Sequence, residues 1–307
     1  MRKWLVAIVF LGLVGLGGFW ILTQPKLVLA KGDTSLDSGG NVARGRVVFL
    51  AGGCASCHAT QGQEDATKLG GGHAFPSPFG TFYAPNISTH PEDGIGKWKT
   101  ADLVNALKAG VAPDGSHYYP AFPYTTYAKM TNTDVRDLMA YMKTLPPVAG
   151  KSKPHDLPFP FNIRRGLGLW KLVNLDQSPL QNDASKSASW NRGRYLVEAL
   201  GHCAECHSPR DFMGGIVASQ RYAGGPSPDG KGWVPNMSQS KNGIGEWSSG
   251  DIELMLESGL TASMDSVGSN MADVIKNTSK LSKADRAAMA EYIKSLPARE
   301  GPKRPGK

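Results

Sequence analysis

Cys54-Ala55-Ser56-Cys57-His58 and, 149 positions later, Cys203-Ala204-Glu205-Cys206-His207 decide how this sequence is read, because together they use all four cysteines of the 307-residue chain. Both have the form C-x-x-C-H. Covalent attachment of haem needs this spacing: two thiols reach the two vinyl groups on one edge of a macrocycle, and the next residue falls beneath the iron with an imidazole. A zinc site built from both pairs would use four thiolates and leave both histidines idle. A disulfide across two intervening residues rarely closes without strain. The expectation is two covalently bound haems c, held by Cys54, Cys57, Cys203 and Cys206, with His58 and His207 as axial iron ligands.

What surrounds the motifs occurs twice. Arg44-Gly45-Arg46 returns as Arg192-Gly193-Arg194, and Pro85-Asn86-Ile87-Ser88 as Pro235-Asn236-Met237-Ser238. Gly94-Ile95-Gly96-Lys97-Trp98 returns as Gly243-Ile244-Gly245-Glu246-Trp247, and Tyr141-Met142-Lys143-Thr144-Leu145-Pro146 as Tyr292-Ile293-Lys294-Ser295-Leu296-Pro297, always at an offset close to 150 residues. Two copies indicate a duplicated domain rather than a solenoid array. In each copy a helical stretch runs into the motif, a Gly/Pro-rich loop follows, and two further helices close the unit. Thr100 is expected to cap one helix and Gly110 to end it. The closing helix carries Val135, Leu138, Met139 and Met142 at i, i+3, i+4 and i+7, starts at Thr131-x-x-Asp134 and stops at Pro146; its counterpart starts at Ser282-x-x-Asp285. No strand-rich segment competes, so the expected fold class is all-α, with two tandem haem-binding domains after an N-terminal membrane helix; with their C-x-x-C-H motifs these domains resemble class I-type cytochrome c domains. The expected boundaries are 1–30 for the anchor or signal segment, 31–147 for domain 1, 148–190 for a linker and 191–300 for domain 2. The linker's apolar stretch, Leu157-Pro158-Phe159-Pro160-Phe161 and Gly166-Leu167-Gly168-Leu169-Trp170, is expected to strap across one or both domains, with a partner-docking surface as the alternative.

Residues 4–23 form a continuous apolar run after Arg2 and Lys3, with Trp4 and Trp20 near its ends. At about 1.5 Å per residue such a run matches a hydrocarbon core of about 30 Å. Signal-peptide cores are shorter, and Val28-Leu29-Ala30 is only a passable cleavage site, so a retained anchor is expected. Its aromatic ends suit a membrane interface. The formal charge of +8 would be about halved by the propionates of two haems, and no dense Lys/Arg cluster is present, which argues against nucleic acid as a partner.

His58 and His207 each fill one axial position, and the opposite ligand tunes the chemistry: a thioether raises the potential, whereas an open position admits small ligands. In the second unit Met271 is the expected ligand, with Met264 and Met237 as competitors. The matching loop of the first unit, Tyr119-Pro120-Ala121-Phe122-Pro123-Tyr124, has no Met. Met130 is then a candidate ligand or a packing residue, His117 and His73 are lesser candidates, and an open site is possible. His202 reads as a loop residue beside the second motif, His90 and His155 as surface residues, and Trp98 and Trp247 as packing residues.

On Pro78-Phe79-Gly80-Thr81, Gly94-Ile95-Gly96-Lys97-Trp98, Tyr119-Pro120-Ala121-Phe122-Pro123-Tyr124, Leu157-Pro158-Phe159-Pro160-Phe161-Asn162-Ile163-Arg164 and Gly201-His202-Cys203-Ala204-Glu205-Cys206-His207, the chain resembles the cytochrome c subunits of membrane-bound bacterial alcohol and gluconate dehydrogenases. The resemblance implies haem domains in the periplasm, a periplasmic dehydrogenase subunit as electron donor, and quinone, a terminal oxidase or another cytochrome as acceptor. The chain departs from it in having two motifs where the alcohol dehydrogenase type has three, and Phe122 where that type has Met. The expected function is therefore a membrane-tethered electron-transfer subunit rather than an enzyme. The rival is a dihaem peroxidase-like or thiosulfate-oxidising enzyme using an open first haem, which Phe122 between Pro120 and Pro123 serves poorly.

Overall fold

The first helix, α1 (Arg2–Leu22), runs for 21 residues with none of them buried, and its most apolar window has a mean hydropathy of 2.5. The computed structural model describes residues 1–304. After α1 come α2 (Val42–Ala51), α3 (Cys54–His58), a hairpin of β1 (Ala74–Ser77) and β2 (Gly80–Tyr83), α4 (Thr100–Ala109), α5 (Tyr124–Tyr127) and α6 (Asn132–Met142). α7 (Leu167–Asn174) stands alone. The earlier order then repeats: α8 (Ala188–Tyr195), which continues as a π-helical turn over Leu196–Leu200, α9 (Cys203–His207), a hairpin of β3 (Gly225–Pro226) and β4 (Trp233–Val234), α10 (Ser249–Ser258), α11 (Asn270–Thr278) and α12 (Lys283–Lys294). The fold is helix-rich, as expected, with two short antiparallel hairpins that the sequence reading did not foresee. They are short and carry Pro76 and Pro226 within them, a residue that strands accept at an edge, so alternation never builds up enough to be read.

Local signals account for the helices. Thr131 and Ser282 accept the backbone N–H of Asp134 and Asp285 at 3.1 and 3.0 Å, as their spacing predicts. Gly110 ends α4 in the left-handed region at φ 59°. Thr100 is not the cap of α4 but its first helical residue: its N–H goes to Asp37 Oδ1 at 2.8 Å, and Asp102 takes the N–H of Lys99 at 2.9 Å. One of these two capping carboxylates, Asp37, is distant in sequence, and no local pattern announces it.

The repeated Arg-Gly-Arg has a packing cause. α2 crosses α6 at Gly45, where a Cβ would lie 1.9 Å from the Asp137 carbonyl oxygen; α8 crosses α12 at Gly193, where it would lie 1.8 Å from that of Ala288. Only glycine lets the backbones approach so closely. Around these crossings one continuous apolar cluster draws on both halves, from Val48, Phe49 and Leu138 to Val197, Ile252 and Ile293.

The segment joining the halves touches both, as a strap would. Thr81 and Asp156 exchange backbone hydrogen bonds of 2.8 and 2.9 Å, and Phe161 stacks edge-on against Phe79. Trp170 of α7 lies edge-on to Tyr124 of the first half, and its indole N–H donates to the Met213 carbonyl of the second at 2.9 Å.

The end of α1 is seated in the same region. Thr23 is fully buried, and Gly168 of α7 lies so close that a Cβ there would fall 2.5 Å from Thr23 Cα. His117 Nε2 donates to the Thr23 carbonyl (2.9 Å), which fixes Nδ1 as the acceptor for Lys171 Nζ at 3.0 Å. Lys171 Nζ also donates to the carbonyls of Ala109 (2.7 Å) and Gly110 (2.6 Å) at the C-terminus of α4. Burial pulls Lys171 down to about 7, but three acceptors require three N–H groups, and only the ammonium has them. With both ring nitrogens committed to this seat, His117 is removed from the candidate iron ligands.

Candidate functional site

Each C-x-x-C-H forms one helical turn, so both thiols and the imidazole project from one face at i, i+3 and i+4. A left-handed residue sets each turn off from the helix before it: Gly53 at φ 61° in the first copy and His202 at φ 39° in the second. The four thiols are free. Burial pushes Cys54 and Cys203 up to about 12, and burial followed by the nearby Cys206 pushes Cys57 up to about 11. Neither pair has the stabilised thiolate of a reactive dithiol.

The repeated Pro-Asn-x-Ser motifs orient the two histidines. His58 Nδ1 lies 2.8 Å from the Pro85 carbonyl oxygen and His207 Nδ1 lies 2.9 Å from that of Pro235. A carbonyl can only accept, so Nδ1 carries the proton in both rings and Nε2 is left with its lone pair free for a metal. The loops behind the carbonyls are locked alike. Asn86 Oδ1 accepts the Ser88 N–H at 2.9 Å, and its amide donates to the Val148 carbonyl at 2.8 Å; Asn236 accepts from Ser238 at 2.8 Å and donates to the Arg299 carbonyl at 2.8 Å. Sequence reasoning found these motifs as a repeat but gave them no role. The repeat was the signal, and the missing information was which carbonyl faces which imidazole.

The two turns meet. Thr125 and Thr126 of α5 donate hydroxyls to Glu205 Oε1 at 2.8 and 2.9 Å, placing the residue between the second pair of cysteines against the first half. In the reverse sense Asn277 of α11 donates its amide to Ser56 Oγ, between the first pair, at 2.8 Å. Each half thus offers the same helix to the other's motif, an isologous contact like that of a two-fold dimer. Arg210 Nη2 holds Glu205 Oε2 at 2.6 Å, and despite burial this partner keeps the carboxyl below its ordinary range. Between the turns Tyr127 donates its hydroxyl to the Gly52 carbonyl at 2.8 Å and meets the His202 ring edge-on, 5.8 Å between centroids.

The remaining candidates fall in different environments. Met271 is half-buried in the first turn of α11, the helix that reaches the first motif through Asn277. Met130 is buried in the apolar cluster, as is its counterpart Leu281. Met264 is 64% exposed on a left-handed turn, and Met237 packs against the core. His73 leans on Phe75 and contacts Gln61. His90 is half-buried and its Nδ1 accepts the Asp93 N–H. His155, expected at the surface, is half-buried: it packs edge-on against Phe82 and Tyr119, and its Nδ1 accepts the Tyr83 N–H at 3.1 Å. Its polarity in the sequence concealed this aromatic packing.

The cytochrome c family matches residues 42–146. A dihaem cytochrome c-type protein of Cereibacter sphaeroides is 47% identical over 305 residues, covering 98% of this chain and 100% of its relative. The chain belongs to the cytochrome c family. This cytochrome is also 39% identical over 263 residues to the fructose dehydrogenase cytochrome subunit of Gluconobacter japonicus, and 35% identical over 269 residues to the gluconate 2-dehydrogenase cytochrome c subunit of Pantoea cypripedii. Each alignment covers 84% of this cytochrome but only 53% and 60% of those relatives, so it spans little more than half their length. Haem c is the cofactor of the family, and the residues fit it: free thiols in pairs, and imidazoles whose Nε2 is left available by the hydrogen bond at Nδ1.

Proposed function

We propose that this cytochrome is a membrane-tethered dihaem electron carrier that takes electrons from a periplasmic dehydrogenase subunit and delivers them to quinone, a terminal oxidase or another cytochrome. Cys54 and Cys57 would hold one haem c and Cys203 and Cys206 the other, with His58 and His207 as axial ligands. The haem supplies a one-electron iron couple when bound. The chain's residues do the rest: Pro85 and Pro235 fix the imidazoles, and Ser56 with Asn277 and Glu205 with Thr126 tie each attachment turn to the opposite half. That reciprocal bonding of each turn to the other half is the observation that carries the reading, because a relay needs two redox sites close together and no acid, base or nucleophile.

The proposed domains are 31–147 and 191–300, joined by 148–190. The seat of Thr23 against Gly168, His117 and Arg165 supports a retained anchor at 1–30 rather than a cleaved signal. So does the capture of the Val28 and Leu29 N–H groups by Asn105 Oδ1 at 2.8 and 3.0 Å, within the passable cleavage site. Haem attachment of this type is completed outside the cytoplasm, which would put both domains in the periplasm. The mass of the N-terminal peptide of purified protein tests retention.

Met271 is the proposed ligand opposite His207. For the first haem, Met130 and an open position are the alternatives. Absorption spectra of purified protein, oxidised and reduced, with and without carbon monoxide, test the whole reading. Two c-type haems with no carbon monoxide shift are the expected result. A haem that binds carbon monoxide readily would put the first site in the open state and require peroxidase turnover to be measured.

A further inference from the structure

α7 is amphipathic in the wrong sense for water. Gly168, Trp170 and Lys171 are its buried residues, while Leu169, Leu172 and Val173, at i, i+3 and i+4, face outward, Val173 at 80% exposure. A helix on a water-facing surface shows the opposite arrangement. Phe159 stands 77% exposed in the same strap. Phe212, 90% exposed, comes from the second half, but the carbonyl of the next residue, Met213, accepts the Trp170 indole N–H, so it borders α7. From 157 to 173 the chain has no Asp or Glu and carries Arg164, Arg165 and Lys171.

This face lies where α1 meets the folded body. Arg165 donates to the Trp20 carbonyl and to Thr23 Oγ1, both at 2.8 Å, and its guanidinium lies 4.1 Å from the Trp20 ring centroid. Gly168 is in contact with Thr23 itself. No flexible tether separates the last turn of α1 from the strap, so whatever surrounds the end of α1 also meets the outer side of α7.

We infer that the outer face of the strap, with Phe212 beside it, is embedded in the lipid–water interface of the membrane that α1 crosses. The inference rests on the reading of α1 as a retained anchor. Continuity with α1 selects the occupant: apolar side chains enter the acyl boundary while Arg165, beside Trp20 at the end of α1, lies at the level of anionic headgroups. The protein is then held at two points, a spanning helix and an interfacial one, so the folded body cannot swivel about α1.

The test is nitroxide labelling of full-length, haem-loaded protein in phosphatidylcholine/phosphatidylglycerol vesicles. The four native cysteines are consumed by haem, so single added thiols can be labelled at Val173→Cys, Phe212→Cys, Gly12→Cys within α1, and Lys241→Cys in an exposed loop. Collision with oxygen relative to a water-soluble nickel chelate should be several-fold higher at 173 and 212 than at 241, and highest at 12. Labels at 173 and 212 that behave like 241 while 12 stays deep would overturn the interfacial face, leave the anchor intact, and assign the surface to solvent or a protein partner. A water-accessible label at 12 would overturn the anchor reading and this inference with it. Unchanged haem spectra show that each variant is folded.

Discussion

Asn277 donates its side-chain amide to Ser56 Oγ at 2.8 Å, and the same relationship recurs in reverse between Thr126 and Glu205 at 2.9 Å. Each bond joins the helix that precedes one half's closing helix to the residue between the cysteines of the other half. The exchange makes the second half part of the first motif's surroundings and the first half part of the second's.

The two bonds are chemically unequal, and substitution should show it. Glu205→Ala removes a carboxylate that accepts from Thr125, Thr126 and Arg210, and is expected to lower stability by about 2 kcal/mol. Ser56→Ala should lower it by about 1 kcal/mol or less. Denaturant unfolding followed in the Soret band checks the order; a larger loss for Ser56→Ala would contradict it.

Gly45→Ala and Gly193→Ala each drive a methyl into a carbonyl oxygen at a helix crossing. Each should cost about 3 kcal/mol, visible as a lowered unfolding midpoint and a reduced yield of haem-loaded protein. Gly166→Ala, where a Cβ meets nothing within 4 Å, is the control and should leave the midpoint nearly unchanged.

Glu198 sets a pH limit. Burial raises its pKa, but Arg221 and the hydroxyl of Tyr292, 2.6 Å away, outweigh this and hold the carboxyl below its ordinary value of 4.5. A carboxyl with a depressed folded pKa adds stability that is fully present above the unfolded value and is lost as pH falls through the folded one. Unfolding free energy measured from pH 6 down to about pH 3 should therefore decline less steeply in Glu198→Gln than in the parent, with the parent's advantage confined to the upper part of that range.

Lys171→Met leaves the Ala109 and Gly110 carbonyls and His117 Nδ1 without their shared donor. A loss of about 2 kcal/mol is expected, together with faster tryptic cleavage after Lys26 and Lys31, since the seat of Thr23 is loosened. A cleavage rate equal to the parent's would show that Gly168 and Arg165 hold α1 without it.

Asn86→Ala unlocks the loop that presents the Pro85 carbonyl to His58, and Asn236→Ala does the same for Pro235 and His207. Each should shift one component of a redox titration by tens of millivolts and leave the other in place. That result would assign the two potentials to their sites. Equal shifts in both components would mean that the loops act on the molecule as a whole.

What the sequence determined by itself is local or repeated. The two C-x-x-C-H turns, the Thr131 and Ser282 caps, the Gly110 stop, the stripe of α6 and the apolar length of α1 each depend on residues a few positions apart, so spacing alone expresses their chemistry. Comparing the copies extended that reach by marking Pro85 with Pro235 and Gly45 with Gly193 as positions of equal importance, without saying why. Tertiary structure decided whatever depends on a partner far along the chain: the Asp37 cap on α4, the joining of Ser56 to Asn277, and the use of His117 and Lys171 to seat Thr23. An imidazole or ammonium can serve many acceptors, and its own sequence neighbourhood does not say which one it will face. The outward stripe of α7 is the same case in reverse, since three apolar residues at helical spacing look like core until the fold shows that Gly168, Trp170 and Lys171 occupy the inner side.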